Sequence, residues 1–318
     1  SVSHARVERI ETDASGRATG AVYIDRMTGT RHFQAADVVI LAANGVGTPR
    51  LLLLSENARF PHGLANGNGM VGRHLMHHGL AIVEMWVSER TDAHKGIISA
   101  VLICEEFAET DVRRGFINGF TMHVVRQNGA GFQALGSHSG NRAPWGPEHH
   151  SWFRRHFGHG FGVLLMGDDL PLPDNRVTLS DTLKDSSGLP APRITYRLHP
   201  NDQRMMDYAV ERARDLARAV DAWDVKVNRW TDAQGNYRPP AWHLLGACRM
   251  GTDPQNSVTN QWGQTWEVPN LYIMDGSLLP TGGAVNPTST IGAVVLRAAT
   301  HLRDRFAETR VERRTIER

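Results

Sequence analysis

The 318-residue chain holds two cysteines, Cys104 and Cys248, too few for a disulfide framework. That usage fits a reducing compartment, so a cytoplasmic location is expected, with a periplasm also compatible. No stretch reaches the roughly 18–20 apolar residues of a membrane span. The longest candidate, residues 38–54, is broken by Asn, Gly, Thr, Pro and Arg. Charge of either sign is not in excess: Lys+Arg number 35 against Asp+Glu 33, which gives no reason to expect a nucleic acid or an anionic membrane as partner. The mixed Arg/Glu run at 303–318 reads as a solvated helix. There is no internal repeat and no low-complexity tract. The chain opens on Ser rather than Met and shows no targeting segment, so a missing N-terminus is expected.

What remains is an ordinary globular composition, 41% apolar and 21% charged. Residues 5–10 alternate, 13–16 form a turn and 21–24 follow, a hairpin signal. Residues 36–43 are a continuous apolar run, as for a parallel strand buried on both faces. A turn at 44–47 leads to Thr48-Pro49, read as a helix cap with Pro at the first position. Strand, turn and helix in that order make half of a nucleotide-binding βα unit. Residues 59–79 are loop-like. Residues 80–235 change character, with strands expected at 80–87, 96–104, 116–125, 160–166, 176–180 and 193–197 and a helix at 201–222. Residues 236–318 return to α/β character, with a short strand at 271–274 and a closing helix.

Three motifs hold the chemistry. Trp242-His243-Leu244-Leu245-Gly246-Ala247-Cys248-Arg249-Met250-Gly251 carries a histidine. Asn270-Leu271-Tyr272-Ile273-Met274-Asp275-Gly276-Ser277 places an acid at the end of an apolar strand, where α/β folds often meet a ligand hydroxyl. Thr281-Gly282-Gly283-Ala284-Val285-Asn286-Pro287-Thr288 delivers an amide and a helix N-terminus to one point, which suits a negatively polarised group. The helix behind it has its apolar stripe at Ile291, Val294, Val295, Ala298 and Leu302. Taken singly, His243 would be a core or surface histidine, Asn286 a cap and Cys248 a structural thiol. The groups His74-x-x-His77-His78 and His149-His150 with His156 and His159 have metal-like spacing. No carboxylate or thiol accompanies them in a recognisable pattern, so no metal is expected.

Together these blocks resemble the C-terminal portion of a glucose–methanol–choline oxidoreductase, a family of FAD-dependent alcohol-oxidising enzymes. The likeness covers 36–54 with 69–76, then 243–251, then 270–302, in the family's order. The middle region matches loosely, through Asp174-Asn175-Arg176-Val177-Thr178-Leu179. The resemblance implies an α/β fold, α+β overall: an incomplete Rossmann-like FAD-binding domain from 1–79 and 236–318, with an antiparallel-sheet substrate domain, 80–235, inserted. It implies that His243 is the active-site histidine and Asn286 its partner. Asp275 and Gly276 would contact the ribityl or pyrophosphate part of FAD. Pro287 and Thr288 would approach the flavin ring, and Ala43 and Asn44 would belong to the cofactor-binding set.

The family's phosphate-holding G-x-G-x-x-G loop on a first βα unit is expected to be missing here; the glycines of 63–72 are read as wrongly spaced and have no strand before them. A companion N-terminal half carrying that loop is therefore expected, and the chain alone is expected to bind FAD poorly. The substrate is expected to be a sugar, polyol or glycoside rather than a small quaternary amine. A non-catalytic or half-enzyme subunit is the alternative, and a sugar-binding module built on 80–235 is a third.

Overall fold

In the computed structural model, residues 1–95, 100–136, 143–231, 234–235, 237 and 242–316 are described, with side chains left aside at 100–101 and 307–316. Strands β1 (Ala5–Thr12), β2 (Ala18–Asp25) and β3 (Arg31–Ala35) form an antiparallel meander. The expected turn between the first two is made by Asp13, whose Oδ1 accepts from the amides of Ser15 and Arg17. The third strand went unread because Arg31-His32-Phe33-Gln34-Ala35 is exposed throughout and has no apolar alternation.

Strand β4 (Val39–Leu41) is shorter than the apolar run predicts and is buried on one face. Val39 and Leu41 enter the core, while Ile40 is 49% exposed. Helix α1 (Asn44–Leu54) begins four residues ahead of Thr48, and Pro49 lies inside it. The cap moves upstream because Asn44 takes a left-handed backbone, φ 68°, and its Oδ1 accepts from the amides of Val46 and Gly47. The Thr48 hydroxyl, freed from capping, turns to other partners described below.

The middle of the chain builds a five-stranded antiparallel sheet from β5 (Gly79–Trp86), β6 (Ala100–Cys104), β7 (Phe120–Arg126), β8 (Gly160–Gly167) and β11 (Asp224–Asn228), ordered β11-β5-β8-β7-β6. Two short helices, α2 (Ala130–Leu135) and α3 (His149–His156), lie between β7 and β8. A hairpin, β9 (Arg176–Lys184) with β10 (Pro190–Thr195), precedes α4 (Pro200–Ala219). The expected strand at 96–104 is seen from Ala100; its residues 96–99 lie outside the described residues. Strand β11 was not anticipated, since Asp-Val-Lys-Val-Asn is too short to stand out. Helix α4 starts cleanly, with Pro200 in its first turn and a capping box between His199 and Asp202. It lays Met205, Met206, Ala209, Val210, Ala213 and Ala217 onto Val83, Phe120, Val163 and Leu165 of the sheet.

The last segment returns to the first. Strand β12 (Leu271–Ile273) pairs in parallel with β4. Helix α5 (Thr288–Ile316) packs Val295, Ala298 and Leu302 against Tyr272 and Met274, and Ile291 and Val294 against Leu245 and Leu279, as its periodicity predicts. Among the described residues no helix is long and apolar enough to cross a membrane. The literal spacing Gly67-x-Gly69-x-x-Gly72 does occur, but in a run of turns with neither strand before nor helix after it. Gly72 is there for packing: at φ 87° its Cβ would stand 2.2 Å from the Val177 carbonyl oxygen.

Met205 is wholly buried between α4 and β8. Met205→Ala is expected to cost about 2–5 kcal/mol, seen as a lower urea midpoint by circular dichroism.

Candidate active site

Three separated segments run side by side as a backbone ladder. Gly72 donates to the Ala247 carbonyl (2.7 Å), and Met76 and Leu245 exchange amide–carbonyl bonds of 2.9 and 3.1 Å. On the other side, Gly246 donates to Gly276, Cys248 to Ser277 and Met250 to Leu278, at 3.2, 3.1 and 2.8 Å. The two motifs read around His243 and Asp275 are thus adjacent rungs, with the His74–His78 stretch alongside.

Asp275 ties this ladder to α1. Its Oδ2 accepts from the Asn44 amide (3.0 Å) and the Thr48 hydroxyl (2.5 Å), and its Oδ1 from the Ser277 amide (2.8 Å). The Thr48 oxygen in turn accepts from the Ala43 amide at 3.0 Å. Both Asp275 oxygens are therefore engaged by the protein itself, which gives the residue a bracing part beside the ligand contact expected from sequence. Gly276 is buried against the ladder, where a Cβ would lie 3.0 Å from the Leu244 carbonyl oxygen, a tight fit that favours a residue without a side chain.

His243 and Asn286, 43 positions apart, are brought together: Asn286 Nδ2 lies 3.2 Å from His243 Nε2. The amide donates, which leaves the proton of a neutral imidazole on the buried Nδ1, an atom with no partner. Burial draws the pKa of His243 below its ordinary value, with a smaller push from His123. A neutral ring whose lone pair meets only the N–H of an exposed amide, which a substrate hydroxyl can displace, is an arrangement that can take a proton.

Around this pair stand further groups, of which the sequence reading named only His78, for its metal-like spacing. The His78 ring meets His243 edge to face at 5.0 Å, and burial first, then His243, pulls its pKa to about 3. Its Nδ1 donates to the Gly167 carbonyl (3.2 Å). The Thr121 hydroxyl of β7 donates to the Ala284 carbonyl and accepts from His123 Nε2 at 2.7 Å. Asp168 and Asp169 follow β8; burial raises Asp168 to about 6 and Asp169 to about 7, the latter despite the Tyr196 hydroxyl donating to it at 2.6 Å. Their Gly-Asp-Asp setting after the apolar run Gly-Val-Leu-Leu-Met reads as an ordinary strand-ending turn and gave no signal. The histidines with metal-like spacing go separate ways: His74 Nδ1 to Pro171, His149 Nδ1 to Pro144 and His159 Nδ1 to Glu89, all backbone oxygens, with His156 stacked on Trp152.

The donor set fits an electron-rich ring at the head of α5. Pro287 is buried and aligns the helix, while Thr288, Ser289 and Thr290 are exposed, so the first-turn amides open outward beside Asn286. Ala43 and Asn44 are likewise exposed at the head of α1.

A family model described as GMC oxidoreductase matches residues 171–294. The chain is 50% identical over 314 residues to a 2-methyl-1,2-propanediol dehydrogenase of Mycolicibacterium austroafricanum, covering 98% of the chain and 56% of that protein. The chain belongs to the GMC oxidoreductase family. It is also 31% identical to the fructose dehydrogenase large subunit of Gluconobacter japonicus, across 94% of the chain and 53% of the relative. The GMC chain thus spans about half the length of the curated relatives it matches. A solved formate oxidase variant from Aspergillus oryzae RIB40, studied for its FAD modification, superposes with a TM-score of 0.69 at 16% identity, over 96% of this chain and 60% of that one. That likeness bears on the fold: a mixed α/β molecule with antiparallel sheets. FAD is the cofactor of the family.

Two measurements test this geometry. Asp275→Ala strands two amides and a hydroxyl and is expected to cost about 2–4 kcal/mol in flavin-free protein, read by urea unfolding; unchanged stability would leave Asp275 to the ligand alone. Asp169 keeps its proton in the folded state up to about pH 7, whereas an unfolded aspartate loses it near pH 4. The folded state therefore holds the extra proton between those values, and Asp169 lowers stability progressively as pH rises through that window. In Asp169→Asn this loss is absent, so thermal midpoints of variant and wild type should diverge in the variant's favour from about pH 4 to pH 7.

Proposed function

We propose that the complete protein oxidises a hydroxyl of a polyol, sugar, glycoside or related diol, with His243 as general base and Asn286 as its hydrogen-bonding partner. The observation that carries this reading is the 3.2 Å approach of Asn286 Nδ2 to His243 Nε2 at the open N-terminus of α5. The substrates named for the relatives, 2-methyl-1,2-propanediol and fructose, each carry several hydroxyls, which supports the class.

A substrate hydroxyl placed between the two nitrogens gives its proton to Nε2, whose lone pair is free because Nδ1 holds the ring proton. The Asn286 amide donates to the same oxygen as charge builds on it and, having no proton affinity of its own, does not compete with the base. The depressed pKa of His243 keeps the ring neutral and ready at neutral pH. FAD, when bound, supplies the hydride acceptor. Pro287, Thr288 and the first turn of α5 would face its pyrimidine edge, where their amides and the helix dipole favour negative charge. Asp275, Gly276, Ala43 and Asn44 would stand on the cofactor side of the same frame. A companion N-terminal segment carrying the phosphate loop is part of this proposal, in keeping with relatives that extend well beyond the matched length.

In the flavin-loaded complete protein, His243→Ala is expected to lower turnover about 100- to 10,000-fold. The readout is bleaching of the oxidised-flavin absorbance by a polyol or sugar without oxygen. Bleaching at the wild-type rate would remove His243 from the role of base.

A further inference from the structure

The segment that carries Asn286 has little of its own to fix its shape. Residues 280–286 lie between the turn after β12 and α5, and among the described residues they make no backbone–backbone hydrogen bond. Gly282 and Gly283 add backbone freedom, Gly283 with a left-handed φ of 68°. Gly283, Val285 and Asn286 are exposed, so packing does not confine them either. A segment of this kind would not by itself keep the Asn286 amide 3.2 Å from His243 Nε2.

The antiparallel sheet supplies the constraint. Strand β7 is an interior strand between β8 and β6, and Thr121 stands opposite Met166 of β8. Its neighbours Phe120 and Met122 enter the core beneath α4, so Thr121 and His123 share the other face, and both are buried. The Thr121 hydroxyl donates to the Ala284 carbonyl, two residues before Asn286, and its oxygen lies 2.7 Å from His123 Nε2. Each direction in this chain is forced. A carbonyl only accepts, so the hydroxyl proton points at Ala284; the hydroxyl oxygen then accepts, so His123 Nε2 carries a proton. Nε2 is protonated in this way whether the ring is neutral or charged, and the chain keeps its direction in both forms. The β-branched threonine has a stiff χ1, and a donor behind the hydroxyl strengthens its bond to the carbonyl. We propose that Thr121, oriented by His123, is a positioning residue for Asn286: it pins the Ala284 carbonyl to the sheet and so fixes where the amide meets His243 Nε2 and a substrate oxygen.

The inference rests on the proposed His243–Asn286 chemistry, and its readouts separate the failure of one from the failure of the other. The first needs no variant: in complete, flavin-loaded protein labelled with 15N-histidine, His123 Nε2 is expected to be protonated, with a slowly exchanging proton. In Thr121→Val, nearly isosteric but without the hydroxyl, that proton should exchange faster. The same variant is expected to lower the rate of flavin reduction at saturating substrate about 10- to 100-fold, with the half-saturating concentration little changed, since misplacing a catalytic group by about 1 Å costs this much. Thr121→Ser should restore the rate. In an Asn286→Ala background Thr121→Val should cost about twofold at most, because Thr121 acts through Asn286. A bare His123 Nε2, wild-type reduction in Thr121→Val while His243→Ala is slow, or the full Thr121→Val loss persisting without Asn286 would overturn the positioning role and leave the base assignment standing. If His243→Ala reduces flavin at the wild-type rate while the Thr121→Val loss is present and vanishes in Asn286→Ala, the base assignment falls and the positioning role stands.

Discussion

The segment from Leu245 to Met250 is hydrogen-bonded along both sides, and the site hangs from that arrangement. On one side it is bound to the stretch leading into β5, on the other to the turn after β12. Neither flank is near it in sequence. Backbone amides and carbonyls that would otherwise be buried unpaired are satisfied here without a regular sheet. His243 sits at the open end of the ladder with a left-handed backbone, φ 53°, so the chain turns there and presents the ring. Asp275 then fixes the ladder to the head of α1 through two hydrogen bonds, from the Asn44 amide and the Thr48 hydroxyl, and the placement of Ala43 and Asn44 follows.

Much of this was legible in the sequence. Four of the five strands of the antiparallel sheet, helix α4 and the stripe of α5 were readable because burial imposes periods of 2 and 3.6 on apolar residues. The pairing of His243 with Asn286 came from resemblance, and the geometry brings the two side chains into contact; no spacing rule could join residues so far apart. What was unreadable falls into two kinds. Strand β3 is wholly exposed and β11 only half-buried, so neither carries a strong apolar signal. The hold on the loop before Asn286 comes from Thr121, a lone hydroxyl whose importance lies only in where its strand meets the loop. The start of α1 was misread for a local reason: a Thr-Pro pair has the form of a cap, but Asn44 with its left-handed backbone had already taken the amides.

The site also divides by charge. Beneath the loop lie Asp168, Asp169 and Asp202, all with proton affinity raised first by burial; beside it lie His77 and His78, driven neutral by the same cause. Low polarity thus acts in opposite directions on acids and bases and draws both toward their neutral forms around His243. In such a setting a developing negative charge on a substrate oxygen would feel the Asn286 amide and the α5 dipole with little competition.

The hold of Thr121 on the loop before Asn286 is made to backbone, at the Ala284 carbonyl. Nothing in the hold depends on the side chain at 286. The position is therefore interchangeable in a way the rest of the motif is not. A different proton donor or acceptor installed there by a single codon change would inherit the same backbone support facing His243, so the chemistry of the site can diversify while its scaffold stays as it is.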